Sequence, residues 1–321
     1  MKILKFAPDR APELSAECAS TEAVDAFYWV DALRDDPEWS DKLQRCLGFR
    51  IDERHLNDTL NPTHPPYFDA TEDYDLLVMR AICSDSQAEF PRTCPIAFLI
   101  TGNVIVTVRP QHHDLFRPLH ERFLGNNGRN LPTSNAMLLY QLLNRIIDGL
   151  LEHRDDTSEV LIDWQEQLLR QGGAKVDWHA MIRLQGQLRR LEVVIDSQLD
   201  VLKVWRDQTS LGMDVSLEVR YNDLQEHLRR VYHHAVMLQH DIDALLQIYF
   251  SITTQRTNDI LQFLTIISAI FLPLNLLAGL FGMNFSHMPF LSAWYGPWLM
   301  GLVMLTVAFG MIAWFRRKHW V

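Results

Sequence analysis

Residues 264–285 read LTIISAIFLPLNLLAGLFGMNF, and this stretch decides how the chain is built. It lies inside a longer run, Ile260 to Phe315, that holds no Asp, Glu, Lys or Arg, although these residues make up 22% of the whole chain. A helical membrane crossing takes roughly 20 apolar residues, so the run is long enough for two. It divides into residues 260–281 and 294–315, joined by GMNFSHMPFLSA at residues 282–293. The competing reading is a buried hairpin in a soluble core, but core helices of this length keep some charge at a solvated edge. This run keeps none. The entire formal charge of −10 lies outside it.

The flanks set the expected orientation. Arg316, Arg317 and Lys318 follow the second span, Arg256 precedes the first, and the connecting loop is uncharged. Excess positive charge stays on the cytoplasmic side, so both termini are expected there, with the loop outside, in the inner (plasma) membrane. Trp294, Trp298, Trp314 and Trp320 fall near the ends of the second span, where interfacial anchors belong. The opening MKILKFAPDRAPEL has no apolar core of a signal peptide. Cys18, Cys46, Cys83 and Cys94 form no CxxC pair, and in a cytoplasmic domain they are expected to be reduced.

Working back from the first span, no Gly or Pro occurs from Val215 until Pro273. One helix can therefore run through the whole interval, about 100 Å at 1.5 Å per residue. A helix that long needs partners along its length, the simplest being the preceding helices and copies of itself. Those preceding helices are expected at residues 138–151, stopping near Asp155, at 159–170, and at 178–206, each from apolar residues three and four apart. Before Pro132 the character is α/β. Short strands are expected at residues 2–6, 26–30 and 76–82, and at 96–108 a hairpin turns on Gly102-Asn103. The predicted organisation is thus a cytoplasmic α/β domain (1–132), a helical bundle and stalk (133–257), a first span (258–281), an external loop (282–293), a second span (294–315) and a basic tail (316–321).

Asn258, Leu261, Thr265, Ser268, Leu272, Asn275 and Gly279 follow one another at steps of three and four, and so share one stripe of the first span. Every Asn, Thr and Ser between Asn258 and Asn275 falls on it. Polar side chains in a span face protein or a water-filled path rather than lipid. Thr and Ser can bond back to their own helix and need no further role, but two asparagines on the same stripe favour a pore wall. The wall holds no carboxylate to strip water from a strongly hydrated dication such as Mg²⁺, so if it lines a cation path the stripe should pass a largely hydrated ion.

The segment 264–285, ending in Gly282-Met283-Asn284 with Pro273 and Gly279 upstream, resembles the first span of CorA-type magnesium and divalent cation transporters. Asn258 stands where that family places a pore-entrance asparagine. The resemblance implies an α+β cytoplasmic domain with long stalk helices, shaped as a funnel, followed by two C-terminal transmembrane helices in a homopentameric channel. It implies that Gly282, Met283 and Asn284 form the outer mouth, and that Arg316, Arg317 and Lys318 join a basic collar. It also implies regulatory metal binding by stalk carboxylates, for which Asp223, Asp241 and Asp243 are the candidates. The sequence departs from the family where His287-Met288-Pro289 is followed by Phe290 rather than an acidic residue, where Asn275 replaces threonine, and where Phe281 replaces tyrosine.

The expected activity is divalent cation transport, Mg²⁺ first. Zn²⁺ transport, or a scaffold or sensor that has lost transport, are the alternatives that the neutral loop leaves open. No tightly bound cofactor is expected, only Mg²⁺ or Zn²⁺ as cargo and regulator; the expected partners are copies of itself and the bilayer. No phosphate-binding glycine loop, nucleophile elbow or basic stripe for nucleic acid occurs, so neither an enzyme nor a nucleic-acid binder is expected. His227, His233, His234 and His240 lack the spacing of four that places helical metal ligands together, and read as a solvated face. His112-His113-Asp114 reads the same way.

Overall fold

The structure, a computed structural model, describes residues 1–8, 10–15, 26–83, 92–111, 114–125, 130–171, 176–209, 211, 215–283 and 295–318. It comprises two compact units. The first holds Met1–Gln167 and Val176–Leu246, and the second Leu168–Lys175 and Gln247–Val321.

The first unit is built on a seven-stranded sheet. Its strands are β1 (Lys2–Phe6), β2 (Glu13–Leu14), β3 (Phe27–Leu33), β4 (Tyr67–Ala70), β5 (Asp75–Cys83), β6 (Arg92–Ile100) and β7 (Val104–Arg109). Their order is β2-β1-β3-β7-β6-β5-β4. All neighbours are antiparallel except β3 and β7, which run parallel with Val30 beside Val106. The hairpin expected at Gly102-Asn103 joins β6 to β7, pairing Ile100 with Ile105.

Side chains alternate between the two faces of a strand, and both faces are apolar here. Trp29, Leu77, Met79, Phe98 and Ile105 face one core, shared with the long helices α4 (Asn135–Gln171), α5 (Trp178–Gln208) and α6 (Val215–Gly282). The intervening residues Tyr28, Val30, Leu76, Val78, Leu99 and Val106 face a second core. That core is closed by Trp39 and Leu43 of α1 (Trp39–Leu47) and Leu56 of α2 (Glu53–Leu60). A further short helix, α3 (Arg117–Leu124), sends Leu119 and Phe123 into the first core.

Two sequence expectations change. The helices expected at 138–151 and 159–170 are one helix, α4. The polar run Asp155-Asp156-Thr157-Ser158 suggested a break, but no Gly or Pro interrupts residues 150–171. Thr157 instead turns its hydroxyl back onto the His153 carbonyl at 2.9 Å. Second, Cys83 and Cys94 are joined as a disulfide, with Cα atoms 5.8 Å apart, rather than standing as separate thiols. The β5–β6 register explains the proximity: Cys83 lies opposite Arg92 and Cys94 opposite Ala81, so the two cysteines are diagonal neighbours. The elements α1, α2, α3, β2 and β4, each of nine residues or fewer, were not among the expected ones.

The second unit contains the membrane-facing part of α6 and the helix α7 (Gly296–Arg317). Pro273 lies inside α6, which continues past it. Proline removes one backbone hydrogen bond, a loss that membrane helices tolerate where neighbouring groups re-satisfy the carbonyl.

Candidate cation pathway

The apolar part of α6 is not a core element. No residue of its most hydrophobic 18-residue window is buried, and 6% of the corresponding window of α7 is. A soluble protein would hide such surface, so these helices are built for a lipid environment.

Each helix nonetheless has one partly covered face. On α6 it comprises Gln262, Ile266, Ala269, Ile270, Pro273, Leu274 and Leu277; on α7 it comprises Met300, Met304, Val307, Ala308 and Met311, ending at buried Phe315. At 100° per residue, the covered face of α6 is centred roughly 140° around the helix from the Asn258–Gly279 stripe. All seven stripe residues (Asn258, Leu261, Thr265, Ser268, Leu272, Asn275 and Gly279) are exposed in the single chain. The Asn, Thr and Ser residues of the span therefore all lie on bare sides of α6, whereas Gln262 lies on the covered face.

Within the stripe, Thr265 donates to the Leu261 carbonyl at 2.7 Å, so its hydroxyl proton is used locally while its lone pairs stay available. Leu261 and Leu272 stand beside the polar residues, with Leu272 70% exposed. A Cβ added at Gly279 or at Gly282 would meet nothing within 4 Å in the protomer. Gly282 ends α6, and Met283 follows it exposed. Asn284 and the rest of the loop to Trp294 lie outside the described residues, as does Trp320. Arg316 and Arg317 occupy the last turn of α7 and Lys318 its C-cap, all exposed. Cations there oppose the helix's partial negative end.

The three stalk carboxylates do not come together. Asp223 accepts a hydrogen bond from Tyr140 on α4 at 2.6 Å and lies 3.6 Å from His227 Nε2. Asp243 accepts from the Gln185 amide on α5, and Asp241 is exposed. Among the described residues no three His, Cys, Asp or Glu side chains gather where one metal ion could sit. His112 and His113 lie outside the described residues.

The sequence reading did not identify two polar assemblies in the first unit. Tyr140 is one partner it missed, because residues 140 and 223 show no relation until α4 and α6 pack. The other is centred on Asp31, which is 3% exposed. Its carboxylate receives the Arg109 guanidinium at 3.0 Å, the Thr107 hydroxyl at 2.9 Å and His120 Nε2 at 3.1 Å. The His120 ring stacks on Trp29 with centroids 4.2 Å apart. Burial pushes the Asp31 carboxyl up, but the hydrogen bonds and charges of His120 and Arg109 outweigh it, so the net shift is downward.

Together, an α+β unit with long helices and two bare apolar C-terminal helices, one bearing a polar stripe, define an integral membrane protein with a soluble head. The family model described as CorA-like Mg²⁺ transporter protein matches residues 24–317. The chain belongs to that family. It is 28% identical over 277 residues to the cobalt/magnesium transport protein CorA of Thermotoga maritima, covering 85% of this chain and 78% of that one. It is also 23% identical over 256 residues to the zinc transport protein ZntB of Pectobacterium carotovorum, covering 78% and 75% of the two chains. In three dimensions it is similar to the complete CorA magnesium transporter structure from Methanocaldococcus jannaschii, with TM-score 0.87 and 19% identity over 100% of this chain and 99% of that one.

Proposed function

We propose that this chain forms a homopentameric channel for divalent cations, with Mg²⁺ as the main cargo, and that the Asn258–Gly279 stripe of α6 lines its pore. The observation that carries this reading is the bare polar stripe lying away from the covered face of α6. Asn, Thr and Ser exposed at membrane depth on a lone helix would cost free energy in lipid, and a ring of copies around an aqueous axis removes that cost.

The chemistry of the wall fits a hydrated ion. Amide and hydroxyl groups at Asn258, Thr265, Ser268 and Asn275 can bond the water shell of Mg²⁺ without stripping it. Leu261 and Leu272 would supply apolar constrictions that close by dewetting. Gly282, Met283 and Asn284 are assigned to the outer mouth. Arg316, Arg317 and Lys318 are assigned to a basic collar on the cytoplasmic side of the inner membrane, where both termini would lie. Asp223, Asp241 and Asp243 are assigned to regulatory Mg²⁺ or Zn²⁺ binding at subunit contacts.

Tracer uptake into proteoliposomes, with Mg²⁺, Zn²⁺, Co²⁺ and Ni²⁺ compared, tests the reading. Saturable Mg²⁺ flux by a pentamer is the expected result. The likeness to a zinc transport protein favours Zn²⁺ as the second reading, and preferential Zn²⁺ flux would establish it. An intact pentamer without flux of any ion would sink both and leave a scaffold.

A further inference from the structure

Away from the membrane helices, the first unit contains a cavity of about 620 Å³ between the β5–β6 strands and α4–α5. Three arginines line it, Arg80, Arg92 and Arg190, together with Thr63, Thr93 and Gln187, over aliphatic side chains that include Ile82, Leu184 and Leu188. Among the described residues no Asp or Glu lines it, in a chain whose net charge is −10.

The charges are also unmatched. Arg80 is held half-buried by uncharged acceptors, the Thr93 hydroxyl and the carbonyls of His64 and Thr93. Burial pushes its guanidinium down, and the charged group acting on it is Arg34, another cation, which pushes the same way. Arg190 spends its Nε on the Gly186 carbonyl at 3.2 Å, and its terminal nitrogens remain for a ligand. Among the described residues, Arg80, Arg92 and Arg190 form no ion pair with any carboxylate. Guanidinium groups present forked donors that match phosphate or carboxylate oxygens, and a concave site with an apolar floor and few convergent polar groups is the usual form of a small-molecule pocket.

We propose that this cavity is a binding site for a small amphipathic organic anion, its phosphate or carboxylate held by Arg92 and Arg190 and its apolar body laid on Ile82, Leu184 and Leu188. Arg80, fixed by its hydrogen bonds, supplies a standing positive field rather than a mobile contact. The site would report a metabolite to the unit that carries α5. It does not depend on which cation is transported.

The probe is phenyl phosphate, titrated calorimetrically into the full-length protein in lipid nanodiscs in Mg²⁺-free buffer. Inorganic phosphate and phenol serve as charge-only and ring-only comparisons. Saturable binding of phenyl phosphate is expected, weakened at least about tenfold by Arg92→Gln plus Arg190→Gln, with both comparison ligands binding at least about tenfold more weakly. Both arginines are exposed, so the double variant is expected to fold. Absence of saturable binding, equal binding by the double variant, or equal binding of inorganic phosphate overturns the proposal. None of these results bears on cation flux, which is measured separately.

Discussion

The Tyr140 hydroxyl donates a 2.6 Å hydrogen bond to Asp223 Oδ2, joining α4 to α6 within one protomer. Burial first, and then the hydrogen bond and charge of Asp223, push the Tyr140 phenol up to about 12. A raised folded-state value means that the bond's contribution is complete below the unfolded phenol value of about 10 and is lost as pH climbs through about 12. Tyr140→Phe is expected to lower stability by about 1 kcal/mol at neutral pH, the scale of one partly exposed hydrogen bond to a carboxylate. It should also remove part of the alkaline loss between those two pH values. Unfolding midpoints of wild type and variant, measured from neutral to strongly alkaline pH, check both statements; parallel pH profiles would refute the second.

Asp223 is also one of the three carboxylates proposed for regulatory metal binding, so its bond to Tyr140 has a functional corollary. On that proposal, releasing Asp223 from Tyr140 would leave the anion freer to meet Mg²⁺ at a subunit contact. Tyr140→Phe is expected to shift inhibition of uptake by cytoplasmic-side Mg²⁺ to lower concentration, and Asp223→Ala to shift it higher, each by severalfold. Dose–response curves on vesicles of known orientation decide it. Unchanged midpoints in both variants would remove Asp223 from the regulatory assignment.

The Asp31 network predicts acid sensitivity. A carboxyl whose folded value is depressed contributes stability above its unfolded value of about 3.9 and loses it as pH falls through the lower folded value. Asp31→Ala takes the buried carboxylate from Arg109, 5% exposed, which keeps the more exposed Asp114 at 3.3 Å, and is expected to cost about 3 kcal/mol, the low end for breaking a buried pair. Asp31→Asn should be less damaging, because it keeps the acceptor for Thr107. The gap between wild type and each variant should narrow as pH falls through the depressed folded value, where the wild-type carboxyl itself becomes protonated. Denaturant unfolding of the three proteins across the acid range measures this.

What the sequence revealed, and what it hid, follows from the range over which each signal acts. The missing charges from Ile260 to Phe315 and the missing Gly and Pro from Val215 to Leu272 are properties of contiguous residues, and α6 and α7 appear accordingly. The polar stripe is equally local, because its period belongs to one helix. The continuity of α4 was hidden by a polar run that resembles a loop, yet Thr157 packs there at 4% exposure. The Cys83–Cys94 pair depends on strand register, which no spacing of residues announces. Asp31, Arg109 and His120 come from β3, β7 and α3, and only the parallel pairing of β3 with β7 and the placement of α3 bring them together. The bare side of α6 was likewise beyond reach, since it depends on which face of the helix the rest of the chain leaves uncovered.

Glycine substitutions separate effects within one protomer from effects between copies. Because a Cβ at Gly279 or Gly282 meets nothing within 4 Å, neither Gly279→Ala nor Gly282→Ala creates a clash in the protomer. Both positions lie in α6, where Ala is favoured over Gly by up to about 1 kcal/mol. Each variant should therefore fold at least as well as wild type. If the stripe faces an axis shared by several copies, Gly279→Ala narrows that path and uptake should fall severalfold while thermal stability holds. Normal flux in Gly279→Ala would place this residue away from the conducting surface.

The asparagines give the sharper test, because their side chains differ from leucine in hydrogen bonding more than in size. Asn275→Leu keeps a side chain of similar length at an exposed position of α6 but removes an acceptor and two donors from the stripe. On the hydrated-ion reading, the water shell loses its partner and the apolar length of the pore grows from Leu272 through residue 275. A dewetted gap of that extent should reduce Mg²⁺ uptake by at least about tenfold. Asn258→Leu at the other end of the stripe should act in the same direction. Ile267→Asn, one helical step off the stripe, places the same amide where no path is proposed and should leave flux near wild type or reduce assembly. Uptake must be normalised to the amount of assembled oligomer, so that a loss of subunits is not mistaken for a loss of conduction. Equal flux per oligomer in Asn275→Leu and wild type would mean that ions pass elsewhere, and the assignment of the α6 stripe as the pore wall would then fail.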